Sequence, residues 1–403
     1  MRALLSTIGS RGDVQPLVAL AWKLRELGHV AHLCVPPDFC EWIEQLGFSV
    51  TPIGPQLRGT AKPGTQAARP TAEQLRQMTE GTVATQFETI ARAAHDCDII
   101  VGATALQIAA PSIAESMGIP YVFVSYCPAV LSSVHHAPPV YSLRGDEPAV
   151  SPSEYPRLWA QNAQRFNDSF GTALNAHRAN LGLAPVHDVG GHIFTDRPWL
   201  AADATLAPWP DASDQKVFQT GAWILPDDRP LEREIESFLD AGEAPVYFGF
   251  GSIRAPENLN SAMITSARAH GRRVIVSRGW ADLSLLDHAS DCLLIGEVNQ
   301  QALFKRVAAV AHHGGAGTTT AAARAGAPQL IIPQHYDQYY WATRVDKLGI
   351  GCAHGPDAPT ADSLTHAFAG LLQSDVAARA MSLASHVSSN GAQLAAQTLF
   401  VRA

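Results

Sequence analysis

Short apolar runs alternate with helical patterns along the first 127 residues. The runs "RALLST" and "VAHLCV" have strand length, and between them apolar side chains recur every three or four residues from Val14 to Leu27. Asp13 precedes this segment and Gly28 follows it, so we predict a helix that is capped by Asp13 and ends before Gly28. The alternation continues through "FSVTPIG", "DIIVGA" and "PYVFVSY". It predicts a parallel β-sheet covered by helices on both faces.

The same alternation restarts in the second half, through "VYFGFGSI", "RRVIVSRGW", "DCLLIGEV", "RVAAVAHH" and "PQLIIPQ". Between the halves, residues 127–197 are rich in Pro, Ser, His and aromatic side chains, a composition typical of functional excursions rather than of a sheet. We therefore predict two α/β domains. Their boundaries are 1–208 for the first domain, 209–225 for a linker, 226–385 for the second domain and 386–403 for a terminal helix that packs back toward the first domain.

Length and composition agree with this division. The chain has 403 residues, 46% of them hydrophobic, which is enough for two cores. Its net charge of -8 disfavours nucleic acid as a partner. The N-terminus does not resemble a signal peptide, and no apolar run is long enough to span a bilayer, so we predict a cytoplasmic protein without membrane insertion. The six cysteines are scattered, which favours buried thiols over disulfides. The oligomeric state is not readable from the sequence.

A glycine turn in "AHHGGAGTTT" follows an apolar run and precedes a helical pattern. Such a turn lets the backbone approach a ligand, and the helix start favours an anion, most simply a phosphate. His313 can add an imidazole N–H, and Thr318 a hydroxyl. The alternative is a tight turn without a ligand. The chain has no GxxxxGK[ST] and no GxGxxG after its first run, which disfavours P-loop enzymes and dehydrogenases.

Three further polar residues are candidates for chemistry. Asp337 and Gln338 stand together at a predicted helix start, where their acceptors and donors would suit the vicinal hydroxyls of a sugar. The alternative is that Asp337 caps the helix and Gln338 is solvated. Asp13 follows the first apolar run, so its carboxylate can act as a general base, with simple helix capping as the alternative. Asp337 is the second candidate base.

Several motifs together resemble the nucleotide-sugar glycosyltransferases of the GT-B fold. They include "GSRGDVQPLVAL", "VYFGFGSI", "GEVNQQALF" and "HHGGAGTT…RAGAPQLIIPQHYDQ", and they are similar to those of antibiotic and sterol glycosyltransferases, in particular the vancomycin-type glycopeptide branch. The resemblance implies an α/β protein with two Rossmann-like domains facing each other across a cleft, with acceptor binding in domain 1–208 and nucleotide-sugar binding in domain 226–385. It also implies inverting transfer of a hexose from a UDP- or dTDP-sugar to a hydroxyl of a bulky, apolar natural-product aglycone, without a metal or other cofactor.

The resemblance assigns roles to individual positions. Asp13 matches a proposed catalytic base, and the pair Asp337 and Gln338 matches residues that hold the donor sugar. The positions that match contacts to the donor diphosphate are Ser10, Arg11, Ser252, His313, Gly315, Ala316, Gly317 and Thr318. Trp280 and Val298 match positions near the pyrimidine base.

Histidine pairs and an Asp-x-Asp sequence raise the question of a metal. His135–His136 and His312–His313 are adjacent residues, which point apart on a strand and lack a third ligand at a suitable spacing. Asp96 and Asp98 precede a strand, where a structural role explains them better. We therefore predict no metal, and we expect His135 and His136 to face the acceptor. Two rival functions remain open, a nucleotide-sugar epimerase of the same architecture and a non-catalytic accessory protein.

Overall fold

The computed structural model describes residues 1–61, 71–104, 106–139, 151–210, 215–256, 258–355 and 357–402. Within these ranges the strands form two parallel sheets, and helices connect most of the successive strands. The strands of the first sheet are β1 Arg2–Thr7, β2 Val30–Val35, β3 Ser49–Pro52, β4 Ile99–Ala103, β5 Tyr121–Ser125, β6 Trp199–Leu200 and β7 Phe218–Gln219. The helices of this part are α1 Arg11–Glu26, α2 Cys40–Gln45, α3 Ala72–Ala93, α4 Ala110–Met117, α5 Tyr155–Asn180 and α6 Val189–Phe194.

The second sheet consists of β8 Val246–Gly249, β9 Val274–Ser277, β10 Cys292–Ile295, β11 Ala309–His312, β12 Gln329–Ile331 and β13 Gly351–Ala353. The helices that follow the first part are α7 Arg233–Asp240, α8 Leu259–Ala269, α9 Gln300–Leu303, α10 Ala316–Ala325, α11 Gln338–Lys347, α12 Ala361–Leu371, α13 Ser374–Ala384 and α14 Gly391–Arg402. We call the part built on β1–β7 the N-terminal lobe and the part built on β8–β13 the C-terminal lobe.

Strand order places each candidate turn at the point where the strand order of its sheet reverses. The first sheet runs β3-β2-β1-β4-β5-β6-β7 and the second β10-β9-β8-β11-β12-β13. The order therefore reverses between β1 and β4 in one sheet and between β8 and β11 in the other. Parallel α/β sheets bind ligands outside the carboxyl ends of the strands at such switch points. The turn after β1 and the turn after β11 occupy these positions.

The structure corrects three details of the predicted organisation. The helix expected from Val14 begins at Arg11, because Ser10 and Asp13 form a capping box one turn earlier. The predicted linker 209–225 contains β7, which pairs with β6 and extends the first sheet. The terminal helix predicted over 386–403 is α14, which begins only at Gly391.

The terminal helix α14 lies against the N-terminal lobe. Ala395 and Leu399 are buried in one apolar cluster with Leu17 and Leu20 of α1. The start of α14 also touches the backbone at Gly221, because a Cβ on Gly391 would lie 2.4 Å from the Gly221 carbonyl carbon. The chain therefore returns to its first lobe after completing the second.

The remaining general expectations concern cysteines and the membrane. All six cysteines are free thiols in the structure; four are buried as expected, whereas Cys40 and Cys352 are half-buried. No helix in the described ranges combines the length and the hydropathy that a bilayer span requires.

Candidate active site

The turn between β11 and α10 presents an open helix start at the carboxyl edge of the second sheet. Gly315 is the N-cap of α10, and no described side chain makes a capping hydrogen bond there. The first turn of the helix, from Ala316, contains Gly317 and Thr318, which are exposed and half-buried respectively. Unpaired N–H groups and the positive end of the helix dipole favour an anion at this position. The local geometry thus fits a phosphate group.

His312 holds the turn in place from inside the lobe. Its ring is fully buried, with Nδ1 accepting a hydrogen bond from the Gly314 N–H at 3.0 Å and Nε2 lying 3.0 Å from Gln329 Oε1. Nε2 must therefore carry the proton and donate it to Gln329. Burial lowers the pKa of His312 to about 4, so the ring is neutral. His312 has a structural role, unlike its neighbour in sequence.

His313 points to the open side of the same turn. Its ring packs against two glycines, since a Cβ on Gly315 would lie 2.6 Å from Nε2 and one on Gly251 would lie 3.4 Å from Cε1. The Nδ1 atom is buried and has no hydrogen-bond partner in the described part of the chain. Burial, followed by the nearby His312 and His335, lowers the pKa of His313 to about 3. A neutral imidazole with an unsatisfied nitrogen is therefore available to a ligand bound at the turn.

The turn after β8 lies beside His313. The register pairs Gly249 with His312, which places Gly251 and the half-buried Ser252 next to the β11 turn. The backbone N–H of Trp280 donates a hydrogen bond to the Gly251 carbonyl oxygen at 2.8 Å. Two positions predicted to contact the donor, Ser252 and Trp280, are thus brought to the turn that carries His313. Val298 is half-buried after β10, which is the outer strand of the sheet.

Asp13 lies in the first turn of α1, directly after β1, at the switch point of the N-terminal sheet. Its Oδ2 atom accepts hydrogen bonds from the Ser10 backbone N–H at 2.6 Å and from the Ser10 hydroxyl at 3.2 Å. Gly9 is required here, because a Cβ on it would lie 2.2 Å from Asp13 Oδ2. Tyr126, just beyond β5, donates its hydroxyl proton to the Asp13 carbonyl oxygen at 3.0 Å. Burial raises the pKa of Asp13 to about 6, although the Ser10 hydrogen bonds oppose this shift.

Asp337 and Gln338 start α11, as predicted, but their side chains behave differently. Gln338 is only 4% exposed, which rules out the solvated alternative. Its Oε1 accepts hydrogen bonds from the Gln334 and His335 backbone N–H groups at 2.8 and 3.3 Å, and its Nε2 donates to His335 Nδ1 at 3.2 Å. Asp337 is the N-cap but makes no capping hydrogen bond with its side chain; Oδ2 instead accepts from Trp341 Nε1 at 3.1 Å. The Gln338 amide thus holds the segment that presents the Asp337 carboxylate.

The Asp13 carboxylate acts on the Asp337 carboxyl across the lobes. Burial raises the pKa of Asp337 to about 7, and the negative charge of Asp13 is the second cause. Like charges at short range disfavour ionisation of both groups. Asp13 of the N-terminal lobe is therefore near enough to Asp337 of the C-terminal lobe for its charge to disfavour ionisation of the Asp337 carboxyl. This arrangement suits a reaction in which a proton is moved.

Arg11 contacts the other lobe rather than standing free. Its guanidinium lies 3.8 Å from the centroid of the Trp42 ring and 3.7 Å from Glu297 Oε1, and Nε donates to Gln15 Oε1 at 3.0 Å. Glu297 directly precedes Val298 in the C-terminal lobe. Contact of Arg11 with a phosphate therefore stays a prediction, and the structure adds an ion pair between the lobes.

The predicted acceptor residues lie on the N-terminal lobe. His135 is exposed, whereas His136 is half-buried with its ring edge-on to Trp159 and Trp209 at 5.9 and 6.0 Å between centroids. His136 Nε2 is buried and has no hydrogen-bond partner among the described residues. The two histidines therefore point to different environments, and only His136 joins an aromatic cluster.

A cavity of about 570 Å³ lies in the same lobe. All of its lining residues except Gln215 and Lys216 belong to the excursion 127–197. Trp159, Phe166 and Phe194 contribute apolar surface, and the remaining lining residues are Ser132, Asn162, Ala163, Asp188, Gly190, Gly191, Thr195, Asp196 and Arg197. Its volume falls within the range of about 300–1,000 Å³ that is typical of small-molecule sites.

The Asp-x-Asp sequence has the structural role that we predicted. Asp98 Oδ2 accepts a hydrogen bond from the Arg2 backbone N–H at 2.7 Å, and the Arg2 guanidinium lies 3.4 Å from Asp96 Oδ2. Both carboxylates thus fix the start of β1. Over the described ranges, no group of three His, Cys, Asp or Glu side chains is placed to hold a metal ion. Metal-independent activity itself stays a prediction.

Sequence reasoning missed several residues that shape this site. Gly9, Tyr126, His312 and His335 position other groups, and Phe39 contacts Trp280 from the opposite lobe. Tyr126 had a recognisable signal, because it stands at the carboxyl end of a predicted strand. Gly9 and His335 act on residues only three or four positions away, but their roles depend on how the turns fold. The contact of Phe39 with Trp280 joins segments distant in the chain, for which the local sequence holds no signal.

Comparison with known proteins identifies the class. Residues 3–136 match the family described as glycosyltransferase family 28 N-terminal domain, and residues 261–393 match the erythromycin biosynthesis protein CIII-like C-terminal domain. The vancomycin aglycone glucosyltransferase of Amycolatopsis orientalis is 48% identical over 99% of this chain and 97% of its own length. The dTDP-epi-vancosaminyltransferase of the same organism is 42% identical over 94% of this chain and 92% of its own.

A solved structure shares the fold. The glycotransferase of kitacinnamycin superposes with a TM-score of 0.72 at 20% identity, covering 99% of this chain and 98% of that one. Together with the relatives, this confirms the GT-B arrangement of two Rossmann-like lobes. The chain belongs to the glycosyltransferase family that contains the vancomycin-type antibiotic glycosyltransferases.

Proposed function

We propose that this glycosyltransferase moves a hexose from a UDP- or dTDP-sugar to a hydroxyl of a bulky, apolar natural-product aglycone, with inversion at the anomeric carbon. One observation carries the proposal. The open α10 turn with the neutral His313 occupies one lobe, and Asp13 on the other lobe is close enough for its charge to raise the pKa of Asp337. The site therefore combines an anion-binding turn with a base across a shared space.

The chemistry follows from these groups. Asp13 accepts the proton of the acceptor hydroxyl while that oxygen attacks the anomeric carbon from the face opposite the diphosphate. The bond between the anomeric carbon and the diphosphate oxygen breaks, and its electron pair leaves with the diphosphate. The N–H groups of α10 and His313 stabilise this growing negative charge, with hydroxyl or N–H contributions from Thr318 and Ser252.

The sugar is held next to the base. In our proposal Asp337 accepts hydrogen bonds from ring hydroxyls, and Gln338 keeps its loop in position and reaches the sugar through its amide edge. A pKa of about 7 for Asp337 fits this role, because the same carboxyl can donate when protonated and accept when ionised. Trp280 and Val298 then lie on the side of the pyrimidine base.

The aglycone is assigned to the N-terminal lobe. The 570 Å³ cavity within the excursion 127–197 has aromatic walls and mixed charges, which suits a large aglycone with polar substituents. His136, in the neighbouring aromatic cluster, is our candidate for a contact to the acceptor. We propose a cytoplasmic location and no requirement for a metal.

The test is a donor and acceptor screen read by mass spectrometry. UDP-glucose and dTDP-glucose are each incubated with the protein and a glycopeptide, polyketide or glycolipid aglycone, with EDTA present. We expect a product heavier by one hexose, and NMR of that product then gives the anomeric configuration. Sugar isomerisation without an acceptor would support an epimerase instead. Absence of both product and nucleotide binding by calorimetry would refute the proposal.

A further inference from the structure

An aromatic pair connects the two lobes at the edge of the predicted base site. The Phe39 ring, on the short turn Pro37–Phe39 between β2 and α2, stacks on the Trp280 ring of the C-terminal lobe. Their centroids are 5.7 Å apart and the planes differ by 20°. No motif in the sequence connects these two positions, which are 241 residues apart.

The two rings differ in how deeply they are buried. Phe39 is 3% exposed and buried in the core of the N-terminal lobe with Val35 and Ile43. Its turn is pinned by Asp38, whose carboxylate accepts hydrogen bonds from the Leu57 and Arg58 backbone N–H groups at 2.7 and 3.1 Å. Trp280 is half-buried and projects from a turn. The buried Phe39 ring is therefore held firmly in the N-terminal lobe, and the less buried Trp280 ring packs against it.

Trp280 is also attached to the phosphate side of the site. Its N–H bonds to the Gly251 carbonyl oxygen, and Gly279 touches the same oxygen so closely that a Cβ would lie 2.5 Å from it. Gly251 in turn borders the His313 ring. A ligand with its diphosphate at the α10 turn would therefore extend its nucleoside toward Trp280.

A second contact between the lobes lies on the same side. The Arg11 guanidinium, stacked on Trp42, faces Glu297, the residue before Val298. Both positions predicted to lie near the base, Trp280 and Val298, are thus bordered by contacts from the N-terminal lobe.

We propose that Phe39 is a positioning residue for the pyrimidine base of the donor, acting by fixing the Trp280 ring. Because Phe39 belongs to the N-terminal lobe, that lobe contributes to recognition of the donor through its contact with Trp280. This inference rests on the proposed function, since it requires a nucleoside diphosphate at the site. Phe39 acts on binding and not on the transfer step.

The experiment compares Phe39→Leu and Trp280→Ala by calorimetry with UDP, dTDP and inorganic pyrophosphate. An aromatic pair contributes about 0.5–1.5 kcal/mol, so we expect Phe39→Leu to weaken UDP and dTDP binding roughly two- to tenfold. Pyrophosphate binding should not change, because it has no base. The double variant should bind no more weakly than Trp280→Ala alone, and donor KM should rise in Phe39→Leu with kcat unchanged.

A matched control variant tests whether weaker binding could come simply from destabilising the core of the N-terminal lobe. Phe48→Leu alters another buried phenylalanine of the same core, which the ring contacts place beside Trp22 and not Trp280. It should leave UDP affinity unchanged. Wild-type affinity in Phe39→Leu, tighter binding, or additive losses in the double variant would each overturn the inference. Failure of the wild-type protein to bind UDP or dTDP would instead refute the proposed function, and the inference with it.

Discussion

Replacing Asp13 with asparagine separates a catalytic base from a helix cap. The side-chain amide oxygen that Asp13→Asn introduces can still accept both hydrogen bonds from Ser10, so the start of α1 should be kept. The amide cannot accept a proton at neutral pH. General bases are commonly worth about 10²- to 10⁴-fold in rate, so kcat should fall by that factor at pH 8, with dTDP affinity nearly unchanged.

Asp13→Asn should raise the free energy of unfolding at pH 8, although it lowers kcat. The pKa of Asp13 is raised from 3.8 to about 6 by burial, so the folded protein resists ionisation that the unfolded chain allows. The contribution of protonated Asp13 to the free energy of unfolding is therefore fully present below about pH 4. It is lost as the pH rises through the folded-state pKa of about 6. The shift corresponds to about 3 kcal/mol, and Asp13→Asn should be more stable than the wild type by up to that amount at pH 8.

Urea unfolding at pH 4 and pH 8, with a pH profile of kcat/KM, measures both effects. In the wild type, kcat/KM should fall as pH drops below about 6, because Asp13 becomes protonated. Asp375→Asn is the control: Asp375 also lies in a first helical turn, but Arg379 lowers its pKa, so its loss should not stabilise the protein. Activity of Asp13→Asn within tenfold of the wild type, or no stability gain at pH 8, would contradict the assigned role.

Three further substitutions test the site and its frame. Gly315→Ala should displace the His313 ring, since the new Cβ would lie 2.6 Å from His313 Nε2, and calorimetry should show at least about tenfold weaker UDP binding. Unchanged affinity would show that His313 does not contact the donor. Gln338→Ala leaves two backbone N–H groups of a half-buried loop unpaired, so urea unfolding should show a loss of about 1 kcal/mol together with a higher donor KM. A higher KM without that loss would indicate a sugar contact alone. Gly391→Ala places a Cβ 2.4 Å from the Gly221 carbonyl carbon, and the resulting overpacking of about 1–3 kcal/mol should lower the thermal unfolding midpoint without changing kcat. A wild-type midpoint would show that α14 is loosely attached.

The local patterns were sufficient for the fold class and for most elements. Parallel strands buried on both faces appear as short apolar runs, and each glycine turn between a strand and a helix is a local feature. The α10 turn with His313 and the start of α11 at Asp337 were predicted in this way. The short edge strands β7 and β13 were not predicted, because two or three residues carry no usable periodicity.

The sequence by itself determined the two α/β lobes, the phosphate-type turn and the set of polar residues able to do the chemistry, since each depends on neighbours in the chain. Only the tertiary structure decided which of them meet. Strand order placed both turns at switch points, lobe packing brought the Asp13 charge to Asp337, and burial made His312 a structural residue while leaving His313 available. These properties arise from distances between segments hundreds of residues apart and from exclusion of water, neither of which is encoded in a local pattern.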